Sequence, residues 1–405
     1  MKILYMHQYF ATLDSSTGTR SYEFARILQE QGHEVEVLTG DSQLGSLTEQ
    51  QTTRFETYDV DGITVHAIRN QYENHFGKWR RIWAFLQFLF LACLFRVKHR
   101  QYDLIFATST PLTIGIPALF LAWKSKVPFV FEVRDLWPEA PYQLGYIQNR
   151  FIYRTLCYFE SHIYKRATHI VALSPGMKDG IIARGVMEKK VSVIPNSADL
   201  ALFDVAPTGK IREQFQLQNK FILAHVGSMG VINGLDYLIE SARLLDEQER
   251  KDTVILLTGD GGKRAELEAL VAKYALKNVI FTGKVPKKDI PALIADVDAT
   301  IMSVKHHPVL EMASPNKFFD SLAAGKPTLV NCKGWMKELI ETYQAGIFVR
   351  PTEPSDVVQA IDVLKLDKRN DFGENAYRLA VENFDRRTLA KKLEHILKEA
   401  MKARE

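Results

Sequence analysis

The sequence alternates short apolar runs with segments whose apolar residues recur every three or four positions. Strands that alternate with helices in this way form βαβ units and therefore a parallel sheet. The rhythm runs through both halves of the chain, so the sequence predicts two α/β halves. The clearest predicted strands are 2–7, 33–39, 103–107, 128–133, 169–172 and 191–194 in the first half and 221–226, 254–257, 279–282 and 299–303 in the second.

The 405 residues are too many for one ordinary domain and suit two. We predict the junction at 203–209, with domains at 1–205 and 206–385. The net charge of +4 does not indicate nucleic-acid binding. The three cysteines have neither metal-ligand spacing nor a disulfide pattern, which favours a reducing cytosol. The chain starts with a strand pattern rather than a secretory signal.

Residues 314–331, SPNKFFDSLAAGKPTLVN, read as loop, helix, turn and strand. Ser314 and Pro315 suit a helix start, with Asn316 following, and Lys317 and Asp320 share a helix face. A helix N-terminus beside a lysine attracts an anion, and a carboxylate one turn further accepts hydrogen bonds from sugar hydroxyls. The stretch therefore fits a nucleotide diphosphate sugar. The alternative is an ordinary αβ unit with a solvated lysine.

Glycines follow three successive predicted strands of the second half. A strand end without bulky side chains lets backbone amides face a ligand. Their recurrence along one sheet edge predicts a phosphate or nucleotide site. The glycines concerned are Gly227 and Gly230, Gly259 and Gly261, and Gly283.

Two places in the first half are candidates for chemistry. In the loop after the first strand, Gly18 would admit a ligand to the backbone and Arg20 would bind an anion; the alternative is a mobile surface loop. After the strand 128–133, Asp135 stands in a charged cluster at the carboxyl end, where α/β proteins place chemistry. We predict that Asp135 orients an acceptor. The alternative is an Arg134–Asp135 pair or a helix cap.

An apolar run at 82–95 has basic residues on both sides and tryptophan near one end. A helix of this length covers roughly 21 Å, less than the bilayer core of about 30 Å, so we do not expect a membrane span. The pattern favours a helix lying in an anionic membrane interface, against the alternative of a helix buried on the sheet. A second such segment starts at Arg150. The membrane or acceptor residues predicted here are Trp79, Arg80, Arg81, Trp83, Arg96, Lys98 and Arg100.

Five motifs resemble glycosyltransferase family 4, whose members are retaining nucleotide-sugar transferases of the GT-B fold. They are GHEVEVLT at 32–39, VRDLWPEAP at 133–141, VIPNSAD at 193–199, VGSMGVINGLDYLI at 226–239 and SPNKFFDSLAAGKP at 314–327. The resemblance implies two Rossmann-like α/β domains facing across a cleft, with the C-terminal helix, 386–405, returning to the first domain. Within the family, the set is similar to a bacterial surface-polysaccharide branch that includes N-acetyl-L-fucosamine transferases.

The resemblance also implies roles for single residues. Asp320 would bind the ribose hydroxyls, and Gly283, Lys284 and Val285 would contact the base. The family's first glutamate is out of register, so either Glu311 or the backbone amides at 313–317 would contact the donor sugar.

The family's usual diphosphate cations, an Arg and a Lys, are replaced here by Ser228 and Asn233. The remaining candidates for that cation are Lys317, Arg20 and either Lys263 or Arg264. No DxD metal motif stands out, and family relatives usually act without a metal, so no cofactor is expected.

The function implied is transfer of a sugar, N-acetylated amino or deoxyamino, from a UDP-sugar to a polyprenyl-diphosphate-linked saccharide. The setting would be capsule or O-antigen synthesis on the inner face of the cell membrane, with the enzyme peripheral to the membrane and without nucleic-acid partners. Two alternatives stay open: a GT-B sugar-nucleotide epimerase, and a membrane-associated nucleotide-sugar-binding scaffold without catalysis.

Overall fold

The computed structural model describes residues 1–15, 17–48, 53–70, 77–97 and 101–403, and for residues 46, 78, 81 and 367–370 only the backbone. The chain divides into two compact units, each with its own parallel sheet. The first unit is Met1–Pro195 together with Arg387–Glu405, and the second is Asn196–Arg386. The predicted fold class, two Rossmann-like α/β domains, is confirmed.

The first sheet has eight strands in the order β3-β4-β2-β1-β5-β6-β7-β8, and all neighbours are parallel except the β3–β4 hairpin. Its strands are β1 (Lys2–Met6), β2 (Glu34–Gly40), β3 (Phe55–Val60), β4 (Ile63–Ile68), β5 (Leu104–Thr108), β6 (Phe129–Val133), β7 (His169–Ala172) and β8 (Val191–Val193). Its helices are α1 (Arg20–Glu30), α2 (Lys78–Leu94), α3 (Gly115–Ser125), α4 (Glu139–Gln143), α5 (Arg150–Arg166) and α6 (Pro175–Ala183).

The second sheet has six parallel strands in the order β11-β10-β9-β12-β13-β14. Its strands are β9 (Phe221–Val226), β10 (Thr253–Thr258), β11 (Val279–Gly283), β12 (Ala299–Met302), β13 (Thr328–Val330) and β14 (Gly346–Phe348). The helices that follow in the chain are α7 (Leu200–Phe203), α8 (Lys210–Gln214), α9 (Asp236–Glu247), α10 (Arg264–Lys273), α11 (Ile290–Asp296), α12 (Asn316–Ala323), α13 (Trp335–Tyr343), α14 (Pro354–Val363), α15 (Arg369–Leu379) and α16 (Arg386–Lys402).

Local sequence signals explain several helix starts. The Asn149 side chain accepts hydrogen bonds from the amides of Phe151 and Ile152 at the start of α5. The Ser174 side chain accepts from Met177 N at the start of α6, where Pro175 takes the first position. Each cap satisfies amide groups that a helix start otherwise leaves without a partner.

The unit boundary falls at Pro195, earlier than the predicted boundary at 205/206. The reason is that residues 196–199 are bonded to the second unit: Asn196 N donates to Ser314 Oγ at 3.1 Å, and Arg386 pairs with Asp199 at 2.6 Å. The segment at 208–211 is held there as well, because its backbone amides donate to the carboxylate of Asp296.

The C-terminal helix α16 packs in the core of the first unit. Leu389, Leu393 and Leu397 are buried there and form a stripe along one face of the helix. His33 Nε2 lies 2.6 Å from Glu394 Oε1 and fixes the helix against the first βαβ unit.

Candidate functional site

The carboxyl edge of the second sheet carries the main candidate site. Strand β9 is flanked by β10 and β12, so the strand order reverses there, and open α/β sheets bind ligands at such a point. The glycine loops after β9, β10 and β11 are bonded to one another: Gly227 N donates to Thr258 O at 2.9 Å, and Gly259 N donates to Gly283 O at 2.8 Å.

Glycine is required where these loops meet. Gly259 has φ of 128°, and a Cβ there would lie 1.9 Å from the carbonyl oxygen of Gly227. A Cβ on Gly261 would lie 2.6 Å from the carbonyl of Met229, whose amide donates to Asp260 O at 2.8 Å. The loops therefore form one side-chain-poor surface, the arrangement that lets a backbone approach a phosphate.

Three predicted donor residues form one hydrogen-bonded chain on this surface. Asn233 Nδ2 donates to Ser228 Oγ at 3.1 Å, and Lys317 Nζ donates to Asn233 Oδ1 at 2.6 Å. Lys317 also donates to the carbonyl of Ser303 at 3.3 Å, and its aliphatic stem passes beside Gly227. The structure thus brings the lysine at the start of α12 to Ser228 and Asn233, the two positions at which this sequence has no cation.

The surroundings of Lys317 weaken its hold on a proton. Burial lowers the pKa of Lys317 to about 7. The neighbouring His225 ring is fully buried, and its pKa lies well below the ordinary value, first because of burial and then because of the Lys317 charge. An anion brought to Lys317 would favour its charged form and raise that pKa.

Asp320, the predicted ribose ligand, lies on α12 in an ion pair with Lys287 at 2.5 Å, with both side chains 11% exposed. Lys287 follows β11 and also lies over the ring of Phe203. Sequence reasoning missed Lys287 because nothing local links it to a residue so far along the chain. The pair fixes the Asp320 carboxylate at the sheet edge.

The start of α12 differs from the prediction. The helix begins at Asn316, with Pro315 extended in front of it, and Ser314 does not cap it. The Ser314 hydroxyl accepts from Asn196 N, and its carbonyl accepts from Asn196 Nδ2 at 2.5 Å. Ser314 thus lies outside the helix, because a proline holds the preceding residue extended. Its role in binding the donor stays a prediction.

Glu311 sits in the turn before this start. Its carbonyl oxygen lies close to Gly334. Burial raises the pKa of the nearby Cys332 thiol to about 12, and the negative charge of Glu311 contributes to that rise.

The other predicted cations have partners on the surface. Arg264 pairs with Glu268 at 2.8 Å beside Gly283, and Lys263 pairs with Glu266 at 2.5 Å. Lys284 is 69% exposed and lies 3.8 Å from the Asp260 carboxylate, and Val285, next to it, is half-buried. Within the described residues, no group of three or more His, Cys, Asp or Glu side chains is placed to hold a metal.

In the first unit, Arg20 is committed to structure, and this corrects its prediction as a diphosphate cation. Its guanidinium pairs with Glu132 at 2.8 Å and donates to the carbonyls of Ile194 and Pro195. Both charged side chains are buried, so Arg20 neutralises a carboxylate within the sheet. Gly18 lies in the loop just before α1.

Asp135 lies at the carboxyl end of β6, as predicted. Asp135 is exposed to solvent, but partial desolvation by the surrounding protein raises the pKa of its carboxyl group to about 6. The positive charge of Arg134 lowers that pKa and so acts in the opposite direction. In the described part of the chain no ion pair joins the two side chains. Arg134 instead lies 3.3 Å from His7 Nε2, and His7 Nδ1 lies 2.8 Å from Ser21 Oγ. Sequence reasoning missed His7, although it directly follows β1.

Helix α2 combines both sequence interpretations. Ala84, Phe88 and Ala92 are buried against the unit, whereas Trp79 is 81% and Trp83 67% exposed. Arg80 and Arg96 are exposed as well. Lys98 and Arg100 lie outside the described residues, as does the side chain of Arg81. None of the described helices is long and apolar enough to cross a membrane.

Two more helices of the first unit expose aromatic residues. Helix α3 packs between α2 and α5 and exposes Phe120 and Trp123. Helix α5 exposes Phe151 and Tyr158, whereas its Tyr164 is buried. Sequence reasoning did not single out α3, because it lacks a basic flank on both sides.

Two family models match successive parts of the chain, and they correspond to the two sheets. The "Glycosyl transferase 4-like domain" matches residues 16–197, and "Glycosyl transferases group 1" matches residues 208–379. The chain belongs to the GT-B glycosyltransferases built from these two domains. The predicted enzyme class, a glycosyltransferase, is confirmed at the level of the family.

Sequence relatives and solved structures agree with this placement. A protein of Escherichia coli (strain K12), provisionally named as a colanic acid biosynthesis glycosyl transferase, is 27% identical over 52% of this chain and 53% of its own length. Mannosylfructose-phosphate synthase of Agrobacterium fabrum is 23% identical over 64% of this chain and 61% of its own. The chain therefore spans little more than half the length of these curated relatives.

Anabaena Alr3699/HepE in complex with UDP-glucose has a TM-score of 0.71 at 20% identity and covers 98% of this chain and 100% of its own. Sucrose-phosphate synthase from Thermosynechococcus elongatus has a TM-score of 0.73 at 16% identity and covers 99% of both chains. At these identities the likeness concerns the fold.

Proposed function

We propose that the chain is a retaining glycosyltransferase that moves a sugar from a UDP-sugar to a lipid-linked saccharide. The sugar proposed is an N-acetylated amino or deoxyamino hexose. The setting proposed is bacterial surface-polysaccharide synthesis, capsule or O-antigen, on the inner face of the cell membrane. The similarity to a relative named for colanic acid biosynthesis and to a fold neighbour solved with UDP-glucose supports this proposal.

The observation that carries the donor side is the chain of hydrogen bonds from Ser228 through Asn233 to Lys317. It lies beside loops that only glycine can form, at the point where the strand order reverses. An ammonium group has three donors, and two of those on Lys317 are used within the protein. The third is left for a diphosphate oxygen.

The proposed chemistry places charge where Lys317 can stabilise it. The bond between the anomeric carbon and the β-phosphate oxygen breaks, and negative charge develops on the departing UDP. The acceptor hydroxyl forms the new glycosidic bond on the same face, and its proton passes to the departing phosphate. Donors aimed at a developing charge stabilise the transition state, and the start of α12 adds the positive end of a helix dipole.

Asp320 is proposed to accept hydrogen bonds from the ribose, with Lys287 holding its carboxylate in place. On the other unit, Asp135 is proposed to orient the acceptor hydroxyl. The raised pKa of Asp135, about 6, leaves the carboxylate ionised above that pH and able to accept the hydroxyl proton in a hydrogen bond. Because Lys317 supplies the cation, we propose that transfer needs no metal and persists in EDTA.

The exposed aromatic residues of α2, α3 and α5 are proposed to rest on the membrane surface, where the lipid-linked acceptor is found. Tryptophan and tyrosine favour the interface between headgroups and chains, and arginine on α2 and α5 favours anionic lipids.

A thermal-shift panel with UDP-, GDP- and dTDP-sugars tests the donor proposal. We expect stabilisation by UDP-sugars, lost in Lys317→Met and kept in Lys337→Met, a control on the α13 surface. If no UDP compound raises the melting temperature, the donor assignment is wrong. If UDP-sugars bind but an acceptor lipid never receives sugar, the chain is a binding scaffold; if the free donor is converted to an epimer, it is an epimerase.

A further inference from the structure

A cavity in the first unit lies between the β3–β4 hairpin and helix α2, at the carboxyl end of β4. Its volume is about 740 Å³, and its polar wall is formed by Arg54 and Arg69. The opposite wall is mainly apolar and aromatic, made by Trp83, Leu86, Phe90 and Leu91, with the amide of Gln87 among them. The cavity has the size of a small-ligand pocket, with a cationic pole and an apolar pole.

The two arginines are neighbours across the hairpin. The antiparallel pairing of Phe55 with Ile68 continues outward by one residue, and Arg69 N donates to Arg54 O at 3.1 Å. Both side chains are exposed at this edge. Arginine binds phosphate oxygens with two parallel donors.

The packing of α2 fixes the apolar wall. Asn70 Nδ2 donates to the carbonyl of Ala84 at 2.7 Å, and the ring of Phe95 packs between Phe55 and His66 at centroid distances of 6.3 and 5.0 Å. The helix is therefore tied to the hairpin at its middle and at its end. The cavity lies between these two ties and is open to solvent on one side.

The apolar wall continues beyond the cavity. Trp79, Trp83, Leu86, Phe90 and Leu94 follow one another at three- or four-residue spacing, so they form one stripe along α2. All five side chains are exposed, from 49% for Leu86 to 81% for Trp79. A long hydrocarbon chain that leaves the cavity would lie along this stripe. A small polar anion would occupy the cavity alone and leave the stripe uncovered.

We propose that this cavity binds the phosphate end of the lipid that carries the acceptor, with Arg54 and Arg69 on the phosphate and the hydrocarbon chain along the α2 stripe. The inference rests on the proposed function, because it supplies the lipid subsite of that reaction. The occupant is a phosphorylated long-chain lipid, identified by the two poles of the cavity and by the stripe that continues from one of them.

Calorimetric titration of the full chain with farnesyl diphosphate tests the site, with UDP present throughout so that the donor site is filled. We expect saturable binding, weakened about 30-fold in Arg54→Gln/Arg69→Gln, because two ionic contacts are lost that are each weaker on an exposed arginine than on a buried group. The matched control, Arg378→Gln/Arg387→Gln, removes the same charge from exposed positions on α15 and α16 and should change the affinity less than twofold. Quenching of Trp83 fluorescence, absent in Trp83→Phe, reports binding at the cavity.

Two results would overturn the inference. One is equal weakening in both arginine pairs, which means general charge attraction. The other is binding of inorganic diphosphate as tight as that of farnesyl diphosphate, which means an anion site without a lipid component.

A kinetic measurement separates this inference from the proposed function. In Arg54→Gln/Arg69→Gln, the KM for a lipid-linked acceptor should rise about 30-fold, while the thermal shift with UDP stays unchanged. An unchanged KM would refute the lipid subsite and leave the proposed function standing. Absence of any transfer by the wild type, with farnesyl diphosphate still bound at the cavity, would refute the proposed function instead.

Discussion

Replacing Lys317 by methionine removes the charge of the proposed diphosphate cation and keeps most of its length. In the structure, Lys317 uses two donors on Asn233 and Ser303, so the substitution removes one hydrogen bond to the ligand together with its charge. A hydrogen bond to a charged group contributes about 2 kcal/mol, which corresponds to about a 30-fold weaker affinity for UDP. Calorimetric titration with UDP measures this loss directly.

The same substitution should not lower the stability of the protein. Burial holds the pKa of Lys317 at about 7, below its ordinary value of 10.5, so between these pH values the unfolded chain binds more protons than the folded one. The lysine therefore costs stability at pH 7, and that cost shrinks as the pH rises. Lys317→Met should melt at or above the wild-type temperature while binding UDP more weakly. UDP binding within twofold of the wild type would refute the assignment of Lys317 as the diphosphate cation.

Three further predictions follow from the same edge of the sheet. UDP affinity should fall between pH 7 and pH 9, by at most about tenfold per pH unit, as Lys317 loses its proton; calorimetry in Lys317→Arg, which stays charged, should show a flat profile. Lys287→Met leaves the Asp320 carboxylate unpaired at 11% exposure, which should cost about 2 kcal/mol and lower the melting temperature by about 6 °C in calorimetry. Gly259→Ala places a Cβ 1.9 Å from Gly227 O and should weaken UDP binding more than about tenfold in the titration.

Matched controls exist for the last two substitutions. Lys284→Met removes an exposed lysine of the same loop, so its melting temperature should stay within about 2 °C of the wild type. Gly262→Ala adds a Cβ that meets nothing within 4 Å, so UDP binding should be unchanged. A loss as large in either control as in its partner would contradict the contacts described here.

The architecture follows from local patterns and was therefore predictable. Apolar runs between amphipathic segments determine the two parallel sheets, and the leucine stripe of 389–397 determines which face of the last helix is buried. The glycines after β9, β10 and β11 were also predictable, because the pattern of a strand followed by glycine can be recognised in the local sequence alone.

The site depends on partners that are distant in sequence, so the sequence could identify residues but not the contacts between them. Ser228, Asn233 and Lys317 were each singled out, but only the fold shows that they form one hydrogen-bonded chain. Arg20 was misread because its partner, Glu132, lies on another strand 112 residues away.

Sequence separation also explains why the contacts of two other residues were not predicted. The hydrogen bonds between Ser314 and Asn196 could not be predicted, because the two residues lie 118 positions apart in the sequence. Lys287 was missed because only the folded chain places it beside Asp320.

The proximity of the two arginines in the lipid cavity could not be predicted from the sequence either. Arg54 and Arg69 look like unrelated surface residues in the sequence, and only the hairpin register makes them neighbours. Their relation to the α2 stripe depends on the way that Asn70 and Phe95 tie the helix to the hairpin.

The most direct test of the central claim is a transfer assay that follows both products from one reaction. Purified full-length protein is incubated with a UDP-sugar that raises its melting temperature and with a lipid-diphosphate-linked saccharide in vesicles, and UDP release and glycosylated lipid are measured together. The account predicts equal amounts of the two products, retention of the anomeric configuration and at least a tenfold loss of rate in Lys317→Met. Release of UDP without glycosylated lipid, or a product of inverted configuration, would contradict it.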